Sequence, residues 1–329
     1  CGLNSFGIKI EILKNDTDTA LGILREVLLN PVFPEEELKK EKSIIEAMIK
    51  KDDDDIFNRG FNALRKELFA GSGYALKITG EIDTVKTITR KDIEDYYKRT
   101  FNAGDIVISV CGDINADDVT KKLELIFSGV KNDAPKASVV EIPTITKQKS
   151  VNIYMDTEQS LVILGFQTVP VASDDKYALD VLGSVLSGSS GRLFTAMRDK
   201  SALAYTLGCF QRLAKDTGFS SLYVATSKDK VRDVKIKLVD EINNVRSNQV
   251  EDSELEMAKR ETSTNFDIAM QSNIFFSQNS AVDELCGLGP DSLFKYKQGI
   301  AKVTKEDVLR VARKYFNPDT CVEVVITQK

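Results

Sequence analysis

Arg198 and Tyr205 stand seven residues apart in the stretch "MRDKSALAYTLGCF", Met197 to Phe210, whose pattern predicts a helix end running into a strand. A guanidinium and a phenol held together can polarise a carbonyl or stabilise an oxyanion. Most other catalytic chemistry is closed, because the chain contains no histidine. Ser-His-Asp and Cys-His catalysis are excluded within it, and so is His-ligated zinc. The glycine-rich "SGSSGR", Ser187 to Arg192, lacks the Lys-Ser/Thr of a phosphate loop. Arg192 itself reads as a capping or pairing residue rather than a substrate ligand. The five cysteines (Cys1, Cys111, Cys209, Cys286, Cys321) are an odd, scattered set without C-x-x-C. Cys111, Cys209 and Cys321 lie in apolar, strand-like runs and read as small core residues. Asp52–Asp55 reads as a solvated helix terminus rather than a metal site.

The composition, 42% hydrophobic and 29% charged with a net charge of −5, describes a soluble globular chain without a basic footprint for nucleic acid. The longest apolar runs, such as "SLVILGF", are strand-sized and too short for a transmembrane segment. The pattern predicts strands over Phe6–Leu13, Ile106–Cys111, Ser150–Met155, Leu161–Gln167, Ala204–Gln211, Gly218–Thr226 and Cys321–Thr327. Helices are expected at Thr17–Leu29, Pro34–Lys50, Ile56–Phe69, Arg90–Thr100, Ala116–Phe127 and Lys176–Leu186. Further helices are expected at Gly191–Lys200, Val231–Ser247, Glu251–Met270 and Lys305–Tyr315, with "DELCGLGPDSLF" as a turn between helices. The short polar links "MDTEQS" and "LAKDTG" imply antiparallel neighbours. Long helices then cover one sheet face, an α+β architecture.

The chain also repeats itself. "ITRKDIEDYYKRTFNAGDIVISV" from Ile88 aligns without a gap on "VTKEDVLRVARKYFNPDTCVEVV" from Val303, an offset of 303 − 88 = 215. Thr89 with Asp92, and Thr304 with Asp307, predict a capping box at each helix start. "PEEELKKEK" from Pro34 matches "EDSELEMAK" from Glu251 at an offset of 217. Two matches at nearly one offset indicate a duplicated domain. We divide the chain into a first domain over 1–130, a linker over 131–149 and a second domain over 150–329. A second domain starting near 147 projects back by 215 to −68, so the first domain is expected to lack roughly 70 residues at its front.

These pieces resemble the M16 metallopeptidases (pitrilysin/insulinase, mitochondrial-processing-peptidase-like, M16B-type), also called inverzincins. The resemblance runs through "LNPVFPEEELKKEKSIIEAM", "LRKELFAGSGYALKITGEIDTVKTITRKDIEDYYKRTFNAGDIVISVCGDI", "LGSVLSGSSGRLFTAMRDKSALAYTLG" and "VTKEDVLRVARKYFNP". It implies two homologous α+β domains of the M16/LuxS-like metallohydrolase type, each a mostly antiparallel sheet with helices packed on one face. Active members hold zinc with an H-x-x-E-H motif and a glutamate on a later helix, and the motif's Glu activates the metal-bound water. Here the aligned helix reads Glu41-Lys42-Ser43-Ile44-Ile45-Glu46-Ala47-Met48, which sets Met48 at the ligand position. Glu46 lies about 200° round the helix from it.

The resemblance assigns Arg198 and Tyr205 to the pair that faces the zinc site and stabilises the tetrahedral oxyanion. It implies a zinc-less subunit, with no cofactor of its own, that works with an H-x-x-E-H-bearing M16 partner carrying zinc. Extended peptides are the expected substrates, bound by strand addition to a sheet edge. A homo-oligomer is the other expected assembly. A structural core-protein-like scaffold and a fragment of a complete active zinc peptidase remain as alternative functions. Either a cytoplasmic or a periplasmic location fits.

Overall fold

The computed structural model describes residues 2–132, 140–188, 191–199 and 203–329, with the side chains at 198 and 199 left out. In chain order the helices of the first half are α1 (Thr17–Leu29), α2 (Glu35–Asp54), α3 (Ile56–Leu68), α4 (Ile82–Thr87), α5 (Arg90–Thr100) and α6 (Ala116–Phe127). Strands β1 (Lys149–Tyr154) and β2 (Ser160–Thr168) follow, then α7 (Asp175–Ser187) and the short α8 (Arg192–Phe194). Next come β3 (Thr206–Leu213), β4 (Gly218–Thr226), α9 (Val231–Ser247) and α10 (Asp252–Met270). The chain closes with α11 (Asn273–Leu285), α12 (Ser292–Lys302), α13 (Lys305–Tyr315) and β5 (Val322–Thr327). The fold is mixed α+β. It divides into two compact units, one of Cys1–Lys50, Ile78–Val139 and Ala269–Leu293, the other of Lys51–Lys77, Val140–Ile268 and Phe294–Lys329.

The second unit holds the one sheet among the described residues, in the order β1-β5-β2-β4-β3. All neighbours are antiparallel except β1 and β5. The hairpin through "LAKDTG" forms as expected. β1 and β2, however, are not neighbours, because β5 inserts between them. The physical reason lies in β2, whose run "SLVILGFQT" is almost wholly buried and therefore needs strands on both sides and cover on both faces. β1, alternately half-buried and exposed, suits an edge.

Both sheet faces are covered, not one. On one side Val162, Leu164 and Phe166 of β2 join α7, α9 and α13 in the main core, where Phe166 stacks on Phe316 at 4.9 Å. On the other side α3 lies directly against β2. Its close approach depends on two glycines facing opposite ways: a Cβ on Gly165 would fall 2.3 Å from Leu64 Cδ1, and one on Gly60 would fall 2.8 Å from Ile163 Cδ1. Asp55 caps α3 by accepting from the Asn58 amide at 2.7 Å.

The first unit is built from helices and extended chain. Phe6–Leu13 and Ile106–Cys111, expected as strands, have no ladder partner among the described residues. A strand exists only once a neighbour satisfies its N–H and C=O groups. The α5 helix begins with a capping box from Thr89 and Asp92 and ends against α1, where the Tyr97 hydroxyl donates to the Leu28 carbonyl at 2.5 Å. α11 and α12 were not expected; glycines with positive φ, Gly287 at +78° and Gly289 at +85°, form the break between them.

Candidate functional site

The segment that carries Arg198 is assembled from its ends inward. α7 stops at Gly188, whose amide donates to Ser184 O at 2.7 Å. A Cβ at Gly188 would sit 2.0 Å from Glu261 Oε2, so the turn can close on α10 only without a side chain. From α7, the Ser184 hydroxyl donates to the same Glu261 oxygen at 2.6 Å. Arg192 then locks the start of α8 to α10: its Nε and Nη2 each donate at 2.7 Å to one oxygen of Glu254. This bidentate, charge-assisted pair is the strongest geometry available to the two side chains. The hydrogen bond from Arg192 holds the Glu254 carboxyl below its usual range, and Glu254 raises Arg192. The expectation that Arg192 pairs structurally is met.

Leu193 and Met197, one turn apart, are both fully buried in the main core. Between them the helix does not continue in α geometry to Lys200 as expected. It widens into a π-helical turn over Thr195–Asp199, the turn that carries Arg198. Such turns are rare and concentrate at functional sites. The Arg198 side chain and residues 200–202 lie outside the described residues.

Beyond them Leu203 and Tyr205 are held by backbone hydrogen bonds. Leu203 N donates to Met197 O at 2.7 Å, and the Leu203 carbonyl accepts from the buried Thr226 hydroxyl at 2.5 Å. Tyr205 N donates to Ala225 O at 2.9 Å. Tyr205 itself is 58% exposed and precedes β3, which starts two residues later than expected. The backbone therefore ties the residue before Arg198 to the residue two before Tyr205. Glu254 and Thr226 were not singled out from sequence; Thr226 carries no signal there, and Glu254 stood only in the repeat.

Met48 lies on α2 and is 49% exposed, with Ile44 one turn earlier also exposed. A thioether beside an isoleucine does not fit a zinc site built on nitrogen and carboxylate donors. Among the described residues no group of three His, Cys, Asp or Glu is placed to hold a metal ion. Cys209 and Cys321 have thiols pushed up to about 12 by burial, and the cysteines at 111, 209 and 321 are free. Of the described helices none is long and apolar enough to cross a membrane.

Fold and site together describe an α+β protein that displays a tyrosine beside a π-turn and, among the described residues, no metal-ligand set. The family description "Peptidase M16 inactive domain" matches residues 87–262, more than half of the sequence, and the chain belongs to the peptidase M16 family. It is 26% identical over 324 residues to an "Uncharacterized zinc protease" of Rickettsia felis, covering 95% of this chain and 76% of that one. To the "Non-peptidase homolog YmxG" of Helicobacter pylori it is 28% identical over 227 residues, 67% of this chain and 51% of that one. The crystal structure of a peptidase M16 inactive domain from Pseudomonas fluorescens superposes with a TM-score of 0.87 at 20% identity, covering 96% of this chain and 76% of the other.

Proposed function

We propose that this chain is the zinc-less subunit of a heterodimeric M16-type peptidase. Its partner would carry H-x-x-E-H and the zinc, and this chain would present Arg198 and Tyr205 to extended peptides. The observation that carries the reading is the care with which the segment is anchored. Two buried apolar side chains, a bidentate ion pair and a buried hydroxyl converge on a π-turn and an exposed tyrosine. A surface turn without function needs none of these. In the complex the two donors would hold the scissile carbonyl oxygen and meet the charge that develops on it, a role requiring fixed donors and no histidine.

The duplication offset carries β4 back onto 3–11 and β5 back onto 107–112, two segments without a ladder partner among the described residues, which fits a first domain laid out on the plan of the second.

A scaffold role without peptide binding is the second reading, favoured by the printed name "Non-peptidase homolog" of the Helicobacter pylori relative. The test is zinc content per protomer of the chain alone, together with cleavage of an internally quenched peptide, before and after an H-x-x-E-H subunit is added. No zinc and no cleavage alone, with cleavage above that of the partner by itself on mixing, is expected. About one zinc per chain with cleavage alone would make it a complete peptidase; silence in both states would favour the scaffold.

A further inference from the structure

Two better-exposed arginines are matched with carboxylates: Arg192 with Glu254, and the half-exposed Arg310 with Asp175 and Asp307. Arg65 has no such match among the described residues. It sits on α3 with only 8% of its surface exposed, yet among the described residues its Nε donates to no protein atom. Its Nη2 reaches only the neutral Asn62 Oδ1, at 3.3 Å. Burial first, and the charge of another cation, Arg212, second hold its guanidinium below the usual arginine range. A buried cation without an acceptor is costly, so such a group calls for an anion.

The packing sets Arg65 and Arg212 on facing surfaces of α3 and the β3–β4 pair. On α3, Phe61 precedes Arg65 by one turn and Phe69 follows it by one. On β3, Phe210 precedes Arg212 by two residues and so shares its face, while Phe219 of β4 is directly opposite Arg212. Phe61 meets Phe210 at 5.2 Å and Phe69 meets Phe219 at 6.1 Å between ring centroids. Arg65 and Arg212 therefore lie between two aromatic contacts that pin the same helix to the same strand pair. The acids nearest in sequence are taken: Glu67 accepts from Lys149 at 3.4 Å and Asp216 from the Tyr74 hydroxyl at 2.6 Å.

We infer that Arg65 and Arg212 form a carboxylate-binding subsite at the corner between α3 and β3. A planar monoanion matches the guanidinium fork in two parallel hydrogen bonds. A doubly charged phosphate is a poorer match, because Glu67 and Asp216 lie close by in sequence. β3 is an outer strand of the sheet, and Arg212 stands seven residues beyond Tyr205, roughly 23 Å along it. The source of the carboxylate, which rests on the peptide-binding reading above, is the extended peptide that adds to this edge, through an acidic side chain or its free C-terminus.

The full chain is titrated with sodium acetate against chloride and phosphate at constant ionic strength, following the thermal midpoint, and R65M and R212Q are treated alike. Acetate is expected to raise the wild-type midpoint by about 2 °C over chloride. The response should shrink in R212Q and vanish in R65M. Without ligand, R65M should melt at or above wild type, since an apolar side chain replaces an unpaired buried charge. Equal responses in all three proteins, or a larger response to phosphate than to acetate, would overturn the site. So would R65M melting well below wild type while R212Q titrates normally, which would assign Arg65 to packing. Anisotropy with labelled extended peptides then separates the sources: loss of binding on C-terminal amidation marks the α-carboxylate, and loss on Glu→Gln marks the side chain. An acetate response without peptide binding upholds the subsite and removes the peptide reading alone.

Discussion

The helices α5 and α13 are two copies of one design in two surroundings. Both are 11 residues long, begin with a Thr–Asp capping box and end at a phenylalanine. Each is followed by an asparagine whose side chain accepts from the amide two residues on, Asn102 from Gly104 and Asn317 from Asp319. Yet α13 buries Val308, Val311 and Ala312, and α5 buries nothing completely. The difference is the sheet. β5 runs between two partners after α13, while Ile106–Cys111 after α5 has none among the described residues. Local chemistry makes the helix; the layer beneath it supplies the burial. The first unit accordingly leaves Phe6, Ile8, Ile10, Ile108 and Val110 exposed.

The largest expected contrast lies at the paired phenylalanines. Phe316 is fully buried and Phe101 is not, so F316A should cost about 3–5 kcal/mol and F101A well under half of that, read from urea midpoints. Equal costs would mean that the first unit has a core of its own.

Next comes Asp180 of α7, inside the packed unit. It accepts from Tyr296 and Gln211, each at 2.7 Å, and lies near Cys209 and Lys176. Burial pushes its carboxyl up to about 6, outweighing the Tyr296 hydrogen bond and the Lys176 charge. A carboxyl raised in the folded state contributes stability that is fully present below the ordinary carboxyl value of 3.8 and is lost as pH rises through 6. D180N should therefore be more stable than wild type at pH 8, by up to ~3 kcal/mol, and level with it at about pH 3. A pH-independent difference would show that Asp180 does not titrate there.

Glycines give a smaller contrast of opposite sign. Gly165 has no room for a Cβ beside Leu64, so G165A should lose about 1–3 kcal/mol. Gly22 in α1 has nothing within 4 Å, so G22A should gain about 0.5–1 kcal/mol from helix propensity. Amide exchange sharpens the comparison without mutation: β2, β4 and β5 should be protected, and Phe6–Leu13 and Ile106–Cys111 should exchange freely.

What could be read from residues alone was what neighbours in sequence decide. Thr89 with Asp92 and Thr304 with Asp307 announced helix starts because the capping bonds span three residues. Long-range choices were not legible in the same way. Nothing in "MDTEQS" says that a strand more than 150 residues later will enter between β1 and β2. Nor does Gly60 announce that α3 packs on the second unit's sheet; that emerges only when Gly165 is seen opposite Leu64. α11 and α12 were missed because Gly287 and Gly289 dominated the reading of a stretch in which only the middle is a turn. At the site, Arg192 was recognised as a pairing residue, but its partner lies 62 residues away, and a π-turn leaves no periodic trace. Arg65 was passed over because in "LRKEL" it looks like one more charge on the polar face of a helix.

The claim that Arg198 and Tyr205 act in trans is tested most directly by turnover of a quenched peptide in the complex reconstituted with an H-x-x-E-H subunit. R198A and Y205F should each lower kcat about 10²-fold, with complex formation and zinc content unchanged. Wild-type turnover by both variants in an intact complex would contradict the account and leave the anchored turn without a catalytic role.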